Sequence, residues 1–467
     1  MSKTTIGPNW VDHPEWGFDT LQIHAGYTGD PTTGTQTVPI YATNAFHFPS
    51  VESAAARFAL QELGPIYSRL GNPTNDALEA RIAALEGGVG AIATGSGQAA
   101  ITLTILTLAS KGQNVVASNS IYGGTFNLLG HTLERFGIEV RFVDNPRDIS
   151  QWTARTDANT AAYYGELVPN PQGDVLDLEP LAQTAHQAGV PLIVDNTVPT
   201  PYLCRPIEFG ADIVVHSATK YLGGHGSAML GIVVDSGRFD YAAAKAAPRF
   251  PGFNVPDPSY HGVVYARDFG VQGALGANLA FILKARVEGQ RDLGFVASPF
   301  AVWTVGLGVD TLSLRMERHI ANTRLVAEFL ESQVGAGLVE TVRWSSLPSS
   351  PFYALAQKYT PKGCGSLLNF DLAGGLQAGK AFINSLELLA NVANIGDVRS
   401  LAIHPASTTH AQLTTAELLA QGITPGTVRL SIGTEDPKDI LADIQRGLAA
   451  ARQAEAAELD ETISRLG

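Results

Sequence analysis

From about Asn75 to His216 the chain alternates short apolar runs with amphipathic stretches, and no other feature narrows its possible folds as much. The spacing of Leu78, Ile82 and Leu85 predicts a helix over 76–85, and similar patterns predict helices over 98–109, 125–136 and 178–188. Between them, short apolar runs predict strands over 89–93, 114–118, 139–143, 161–167, 191–194 and 213–216. Strands that are apolar on both faces and separated by helices imply a parallel sheet covered on each side. The reading is an α/β domain over 73–297. Residues 1–72 read as an arm, with an aperiodic Thr/Gly/Pro stretch over 31–39, packed on something rather than free. An irregular, proline- and aromatic-rich insertion over 237–270 is long enough to suggest a function. Beyond it a second, α+β domain over 298–467 is expected. It has a helix near 309–333, strands over 339–344, 366–372 and 428–431, and an amphipathic helix over the last thirty residues.

Composition removes several classes. With 45% hydrophobic and 16% charged residues, the 467-residue chain is globular rather than disordered, and long enough for two or three domains. A net charge of −13 argues against broad binding to nucleic acid or anionic membranes, but leaves room for a local phosphate site. Two cysteines, Cys204 and Cys364, exclude a disulfide scaffold and the usual cysteine zinc modules, and fit a reducing cytosol. Met1 to Trp16 shows no basic stretch followed by an apolar run, so no signal peptide is expected. The longest apolar run, 99–109, is too short and too threonine-rich to span a bilayer. A cytoplasmic protein is the expectation.

Three local signals carry chemistry. Gly95-Ser96-Gly97-Gln98-Ala99-Ala100 follows a strand and opens a helix. It matches the loose dinucleotide fingerprint, but Val115 to Ser120 holds no carboxylate for a ribose. A phosphate at that helix N-terminus fits better, because free N–H groups and the helix dipole favour an anion. The alternative is a tight turn that needs small residues. Second, Asp195 ends an apolar strand, where open α/β sheets bind ligands. Seen alone it could equally be a turn or N-cap aspartate. Third, Ser217-Ala218-Thr219-Lys220 leaves the next strand ahead of Gly223 and Gly224. A lysine there can be a desolvated amine for a Schiff base, or a solvated surface residue. Taken together, the three converge on pyridoxal phosphate, whose aldehyde needs a lysine, its ring nitrogen an acid and its phosphate a helix N-terminus. His404 and His410, six apart with no acidic or cysteine partner nearby, do not have metal-ligand spacing, so no metal is expected.

The chain resembles the Cys/Met-metabolism family of fold-type-I pyridoxal-phosphate enzymes from about Thr20 to Arg446. The resemblance rests on Tyr67-Ser68-Arg69, Gly95-Ser96-Gly97, Tyr122-Gly123-Gly124-Thr125, Val194-Asp195-Asn196-Thr197, Ser217-Ala218-Thr219-Lys220 and Val428-Arg429-Leu430-Ser431-Ile432-Gly433. It implies an N-terminal arm contacting a neighbouring subunit, a large domain with a mostly parallel sheet of the seven-stranded type, and a smaller C-terminal α+β domain. It also implies roles. Lys220 would bind the cofactor's aldehyde and act as the catalytic base, Asp195 would pair with the pyridinium, and Tyr122 would stack on the ring. Asn170 would bond the phenolic oxygen. Gly97, Gln98, Ser217 and Thr219 would hold the phosphate, Gln98 by its backbone N–H because many relatives have methionine there. Tyr67 and Arg69 would reach a neighbouring subunit's phosphate. Arg429, assisted by Asn394, would take the substrate α-carboxylate. A homo-oligomer, a tetramer built from two dimers, follows.

Within the family, the segments at Thr33 to Tyr41, Pro256 to Gly262, Pro361 to Ser366 and Asn394 to Asp397 look most like the O-acetylhomoserine sulfhydrylases. That resemblance implies γ-replacement on O-acetyl-L-homoserine with sulfide, giving homocysteine and acetate. Methionine γ-lyases carry a cysteine where this chain has Gly124. Arg399 is the nearest candidate for the second cation that a succinyl ester needs, with a surface role the alternative. Cystathionine γ-synthase, an O-succinylhomoserine sulfhydrylase, a γ-lyase and a non-catalytic pyridoxal-phosphate-binding protein stay as alternatives.

Overall fold

A computed structural model describes residues 11, 13, 15–59, 61, 62, 64–170, 173–273, 275–409, 411, 414, 418, 419 and 422–466, with side chains described up to 457. Its chain forms two compact units. One comprises the described residues of Met1–Asn119, Gly123–Leu167 and Asp177–Leu312, and the other those of Ser120–Tyr122, Val168–Leu176 and Ser313–Gly467.

The first unit is built on a seven-stranded sheet. Its strands are β1 (Gly90–Thr94), β2 (Asn114–Ser118), β3 (Glu139–Val143), β4 (Thr160–Glu166), β5 (Leu192–Asp195), β6 (Ile213–Ser217) and β7 (Gly231–Asp235). They lie in the order β1-β7-β6-β5-β4-β2-β3. Strands β3, β2, β4, β5 and β6 pair in parallel, and β7 runs antiparallel to both β6 and β1. Ile193, Val194, Val214, Val215, Ile232 and Val233 are wholly buried, as a sheet covered on both faces requires. The parallel α/β domain expected from the sequence is therefore present, with one strand, β7, that the apolar pattern did not separate from the glycine-rich loop before it.

Helix Pro73–Glu86 starts where its sequence dictates. The Asn72 side chain accepts from the Thr74 N–H at 3.0 Å, Pro73 occupies the first turn, and Gly87 at φ 79° ends it. It buries Ala77, Leu78, Ile82 and Leu85. The expected helix over 125–136 is instead three joined turns. An α-turn Gly123–Asn127 widens to a π-helix Leu128–Thr132 and tightens to a 3₁₀ turn Leu133–Phe136. The arm holds two helices, Phe18–His24 and Val51–Phe58, too short for periodicity to reveal. The insertion is organised around Phe239, Tyr241, Phe250 and Phe253, with the Tyr241 and Phe253 rings stacked 4.1 Å apart.

The second unit carries a five-stranded sheet of β8 (Val339–Arg343), β9 (Leu367–Leu372), β10 (Ala390–Asn391), β11 (Leu401–Ile403) and β12 (Thr427–Ser431). The order is β10-β11-β12-β9-β8, antiparallel except for β10 with β11. Helices Gly375–Ser385 and Pro437–Leu466 pack together, and Gly447 permits it: a Cβ there would lie 2.5 Å from the Phe382 ring. Helix Leu312–Val334 belongs almost wholly to this unit. Among the described residues no helix is long and apolar enough to cross a membrane.

Candidate functional site

Strands β1, β5 and β6 run the same way, so Thr94, Asp195 and Ser217 end at one edge of the sheet. Gly231, the first residue of β7, is in register with both Thr94 and Ser217. It has to be glycine, because a Cβ there would lie 2.0 Å from the Ser96 carbonyl oxygen. The β1 and β6 exit loops can therefore close on one another. Gly97 opens helix Gly97–Leu108, and a Cβ on it would lie 2.7 Å from the Ser217 Cβ. The Ser96 hydroxyl accepts from the Ala99 N–H at 3.1 Å, and the geometry of a helix start leaves the Gly97 and Gln98 N–H groups without carbonyl partners in the helix. The Gln98 carbonyl accepts from the Thr102 hydroxyl, so its own backbone is fixed.

The β6 exit is held just as closely. Thr219 donates its N–H to the Leu230 carbonyl at 3.1 Å, and its hydroxyl accepts from the Leu230 N–H at 3.0 Å. Lys220 donates its N–H to the Ser217 carbonyl at 3.1 Å and accepts from the Gly224 N–H at 2.7 Å. This leaves the Lys220 side chain, half-buried, at the end of a rigid turn.

Asp195 accepts from the Thr197 N–H at 2.9 Å, and the Thr197 hydroxyl accepts from the Ser217 N–H at 2.8 Å. The acid and lysine loops are thereby tied. Burial raises the Asp195 carboxyl above its ordinary range, against the Thr197 hydrogen bonds and the nearby His216, which favour the ionised form. Burial, with the Asp195 charge next to it, pushes the Tyr164 phenol well up. A carboxylate so placed is completed by a cation. The residues fit pyridoxal phosphate: a glycine cradle and helix N-terminus for phosphate, a half-buried acid for a protonated ring nitrogen, and a lysine three residues beyond Ser217.

The other expected residues fall in two places. In the first unit, Tyr67 is 41% exposed, and the Arg69 guanidinium lies 5.6 Å from its ring centre. Arg69 donates to the Arg291 carbonyl at 2.8 Å. In the second unit, Arg429 on β12 donates to the Asn170 side-chain oxygen and to the Asn394 carbonyl, each at 3.3 Å. The structure thus brings Asn170, Asn394 and Arg429 together, where the sequence assigned Asn170 to the cofactor alone. Tyr122 also belongs to this unit and is 52% exposed. Arg399 pairs with Asp397 at 3.0 Å, its side chain mostly in solvent.

His404 is buried, with one ring nitrogen at the Ser407 hydroxyl and the other at the Pro425 carbonyl, so both are engaged in packing. His410 and Pro171 lie outside the described residues. Two cavities of about 480 and 460 Å³ occur in the first unit, one lined by the arm, Arg81 and Asp310, the other by Tyr163, Lys245 and Arg249. Lys220 lines neither. Gly231 is the site residue that sequence reasoning passed over. Its signal was a glycine opening an apolar run, Gly231–Asp235, directly after a loop rich in glycine.

Known proteins share this fold. A crystal structure from Campylobacter jejuni, described as an O-acetylhomoserine (thiol)-lyase with N'-pyridoxyl-lysine-5'-monophosphate, superposes with a TM-score of 0.87. It shares 39% identity and covers 93% of this chain and 100% of its own. The architecture is that of the fold-type-I pyridoxal-phosphate-dependent enzymes. The family model for "Cys/Met metabolism PLP-dependent enzyme" matches residues 19–449. The chain belongs to that family. Among curated relatives, an O-acetyl-L-homoserine sulfhydrylase of Leptospira meyeri is 48% identical over 95% of this chain and 99% of its own length. Another of Corynebacterium glutamicum is 50% identical over 93% and 98%.

Proposed function

We propose that the protein converts O-acetyl-L-homoserine and sulfide to L-homocysteine and acetate. The observation that carries this reading is near-full-length identity of 48% and 50% to two enzymes named for that activity. Fold alone would leave many chemistries open.

Pyridoxal phosphate, when bound, supplies an electron sink for the charge left when a proton leaves the substrate's α-carbon. Each remaining task falls to a side chain of this protein. The Lys220 Nζ would hold the cofactor's aldehyde and, as a free amine, would take the substrate's α-proton; once it has passed that proton on, the same amine would take a β-proton. A lysine amine does this near neutral pH only where its surroundings favour the neutral form. Asp195 keeps the proton on the ring nitrogen. The Gly97 and Gln98 N–H groups, with the Ser217 hydroxyl, would hold the phosphate, and the Thr219 hydroxyl would join them by turning its proton from the Leu230 carbonyl. Tyr122 would stack on the bound ring and would assist departure of acetate from the γ-carbon, the position that sulfide would take. Asn170 would bond the phenolic oxygen. Arg429 grips the α-carboxylate with its planar fork, and Asn394 orients it.

The acetyl ester is favoured over the succinyl one because Arg399, the nearest candidate second cation, is paired with Asp397. The exposed Tyr67 and the arm's Arg69 serve the phosphate of a neighbouring subunit, which makes the active unit a dimer and the assembly a tetramer of two dimers. The protein works in the cytoplasm. Purified protein given O-acetylhomoserine with and without sulfide tests the reaction. Homocysteine formed only with sulfide is the expected result. Accumulation of 2-oxobutyrate at the same rate in both would make the protein a γ-lyase instead.

A further inference from the structure

Glu86 ends helix Pro73–Glu86 and is completely buried, as are Asn196 and His216. One of its oxygens, Oε1, accepts from the Asn196 side-chain amide at 2.9 Å and from the His216 Nε2–H at 2.7 Å. Asn196 follows Asp195 at the exit of β5, and His216 precedes Ser217 near the exit of β6. A single carboxylate oxygen therefore bridges the two strands that present the acid and the lysine. Side chains alternate along a strand, so Asp195 faces away from Asn196 and the bridge lies behind it.

The Asn196 backbone is clamped on both sides as well. Its N–H donates to the Val215 carbonyl at 3.0 Å, and its carbonyl accepts from the Thr200 N–H at 3.0 Å. Its amide also donates to the Cys204 carbonyl at 2.9 Å. Thr200 is held at φ 59°, a left-handed conformation that a β-branched residue keeps only where its surroundings enforce it. Such a cluster is an expensive way to hold a core together. Among the described residues, Glu86 Oε2, His216 Nδ1 and Asn196 Oδ1 find no protein hydrogen-bond partner, and apolar residues of similar volume often fill such a space as well. Such a cluster asks for a role beyond packing.

We propose that Glu86 is a positioning residue for the cofactor's ring nitrogen. Through Asn196 and His216 it fixes where the Asp195 carboxylate sits relative to the Lys220 turn. This inference rests on the assignment of Asp195 to that nitrogen.

The test compares wild type, Glu86→Gln and Asp195→Asn as purified proteins. It reads the apparent Kd for pyridoxal phosphate, the visible circular dichroism of the bound cofactor, and kcat and KM for O-acetylhomoserine. Glu86→Gln should weaken cofactor binding by about tenfold, a size typical of outer residues that orient a ligating one. It should also change the visible dichroism and lower kcat while KM stays within about twofold. A folded Glu86→Gln protein that matches wild type in affinity, dichroism and kcat overturns the proposal, and so does one altered only in Tm. Wild-type affinity and dichroism in Asp195→Asn would overturn the underlying assignment instead. If Glu86→Gln does not fold, Asn196→Ser, which shortens the reach to Glu86, is judged by the same readings.

Discussion

Gly97 and Ser217 come from different strand exits, yet a methyl group on the first would lie 2.7 Å from the Cβ of the second. The Ser217 backbone is held by the Thr197 hydroxyl and cannot retreat freely. Gly97→Ala should therefore prise the helix start from the β6 exit, with an overpacking penalty of about 1–3 kcal/mol. The expected outcome is weaker retention of pyridoxal phosphate, read by titrating the apoprotein. Unchanged affinity would mean that the phosphate sits elsewhere.

Lys220 should be the residue to which borohydride fixes the cofactor. Peptide mapping of the reduced protein checks this, and Lys220→Ala should lose the visible band and nearly all turnover. A label on another lysine would reassign the site.

Arg429 reaches two partners in its own unit, Asn170 and Asn394, which hold its fork in one orientation. Arg429→Ala should raise KM for O-acetylhomoserine strongly. Arg429→Lys should recover little, because an ammonium cannot make the bidentate contact. Steady-state kinetics of both variants decides it; full rescue by lysine would reduce the arginine to a mere charge.

Tyr67 and Arg69 lead to a prediction about mixtures. Arg69→Ala and Lys220→Ala proteins, each inactive, should regain partial activity when refolded or exchanged together, because some hybrid dimers carry one intact site. No activity in hybrids verified by mass would argue that each chain completes its own site.

Asp235 offers a test of stability against pH. It is 5% exposed at the end of β7, and burial raises its carboxyl to about 7, against hydrogen bonds from the Gly237 and Ile282 N–H groups. A folded-state value above the unfolded one means that its contribution is fully present below about pH 4 and is lost as pH rises through 7. Relative to Asp235→Asn, the wild-type protein should lose stability by up to about 1.4 kcal/mol per pH unit across that window. Thermal melts of both proteins from pH 4 to 8 measure the slope; parallel curves would show that Asp235 titrates normally.

The sheet was readable because its central strands are continuous apolar runs, and Leu192 to Val194 and Ile213 to Val215 can belong only to strands covered on both faces. Asp195 stood out because it ends such a run, and Lys220 because it follows the next run at a strand exit, ahead of Gly223 and Gly224. The antiparallel β7 was not, since hydrophobicity carries no strand direction. The Glu86 cluster escaped for a similar reason: a glutamate ending a helix looks like any solvated turn residue, and only the fold brings it to Asn196 and His216, more than a hundred residues away. The helices of the arm, at seven and eight residues, are too brief to show a period. In the second unit, Arg429 was legible from its motif, whereas its meeting with Asn170 is a long-range contact that local sequence does not encode.

The place of β7 between β1 and β6 also sets a timetable. Among the described residues strand β1 has no other neighbour in the sheet, so it stays without a strand partner until Gly231–Asp235 has left the ribosome, more than a hundred residues after Thr94. At bacterial or eukaryotic synthesis rates that is a wait of roughly 10 s. For that interval an apolar strand, packed only against the helix Pro73–Glu86 made before it, has no strand partner, and the nascent chain carries an open edge of the kind that recruits other chains. Slowing translation just before codon 231 should lengthen the exposure, and chaperone dependence of the newborn protein should grow with it.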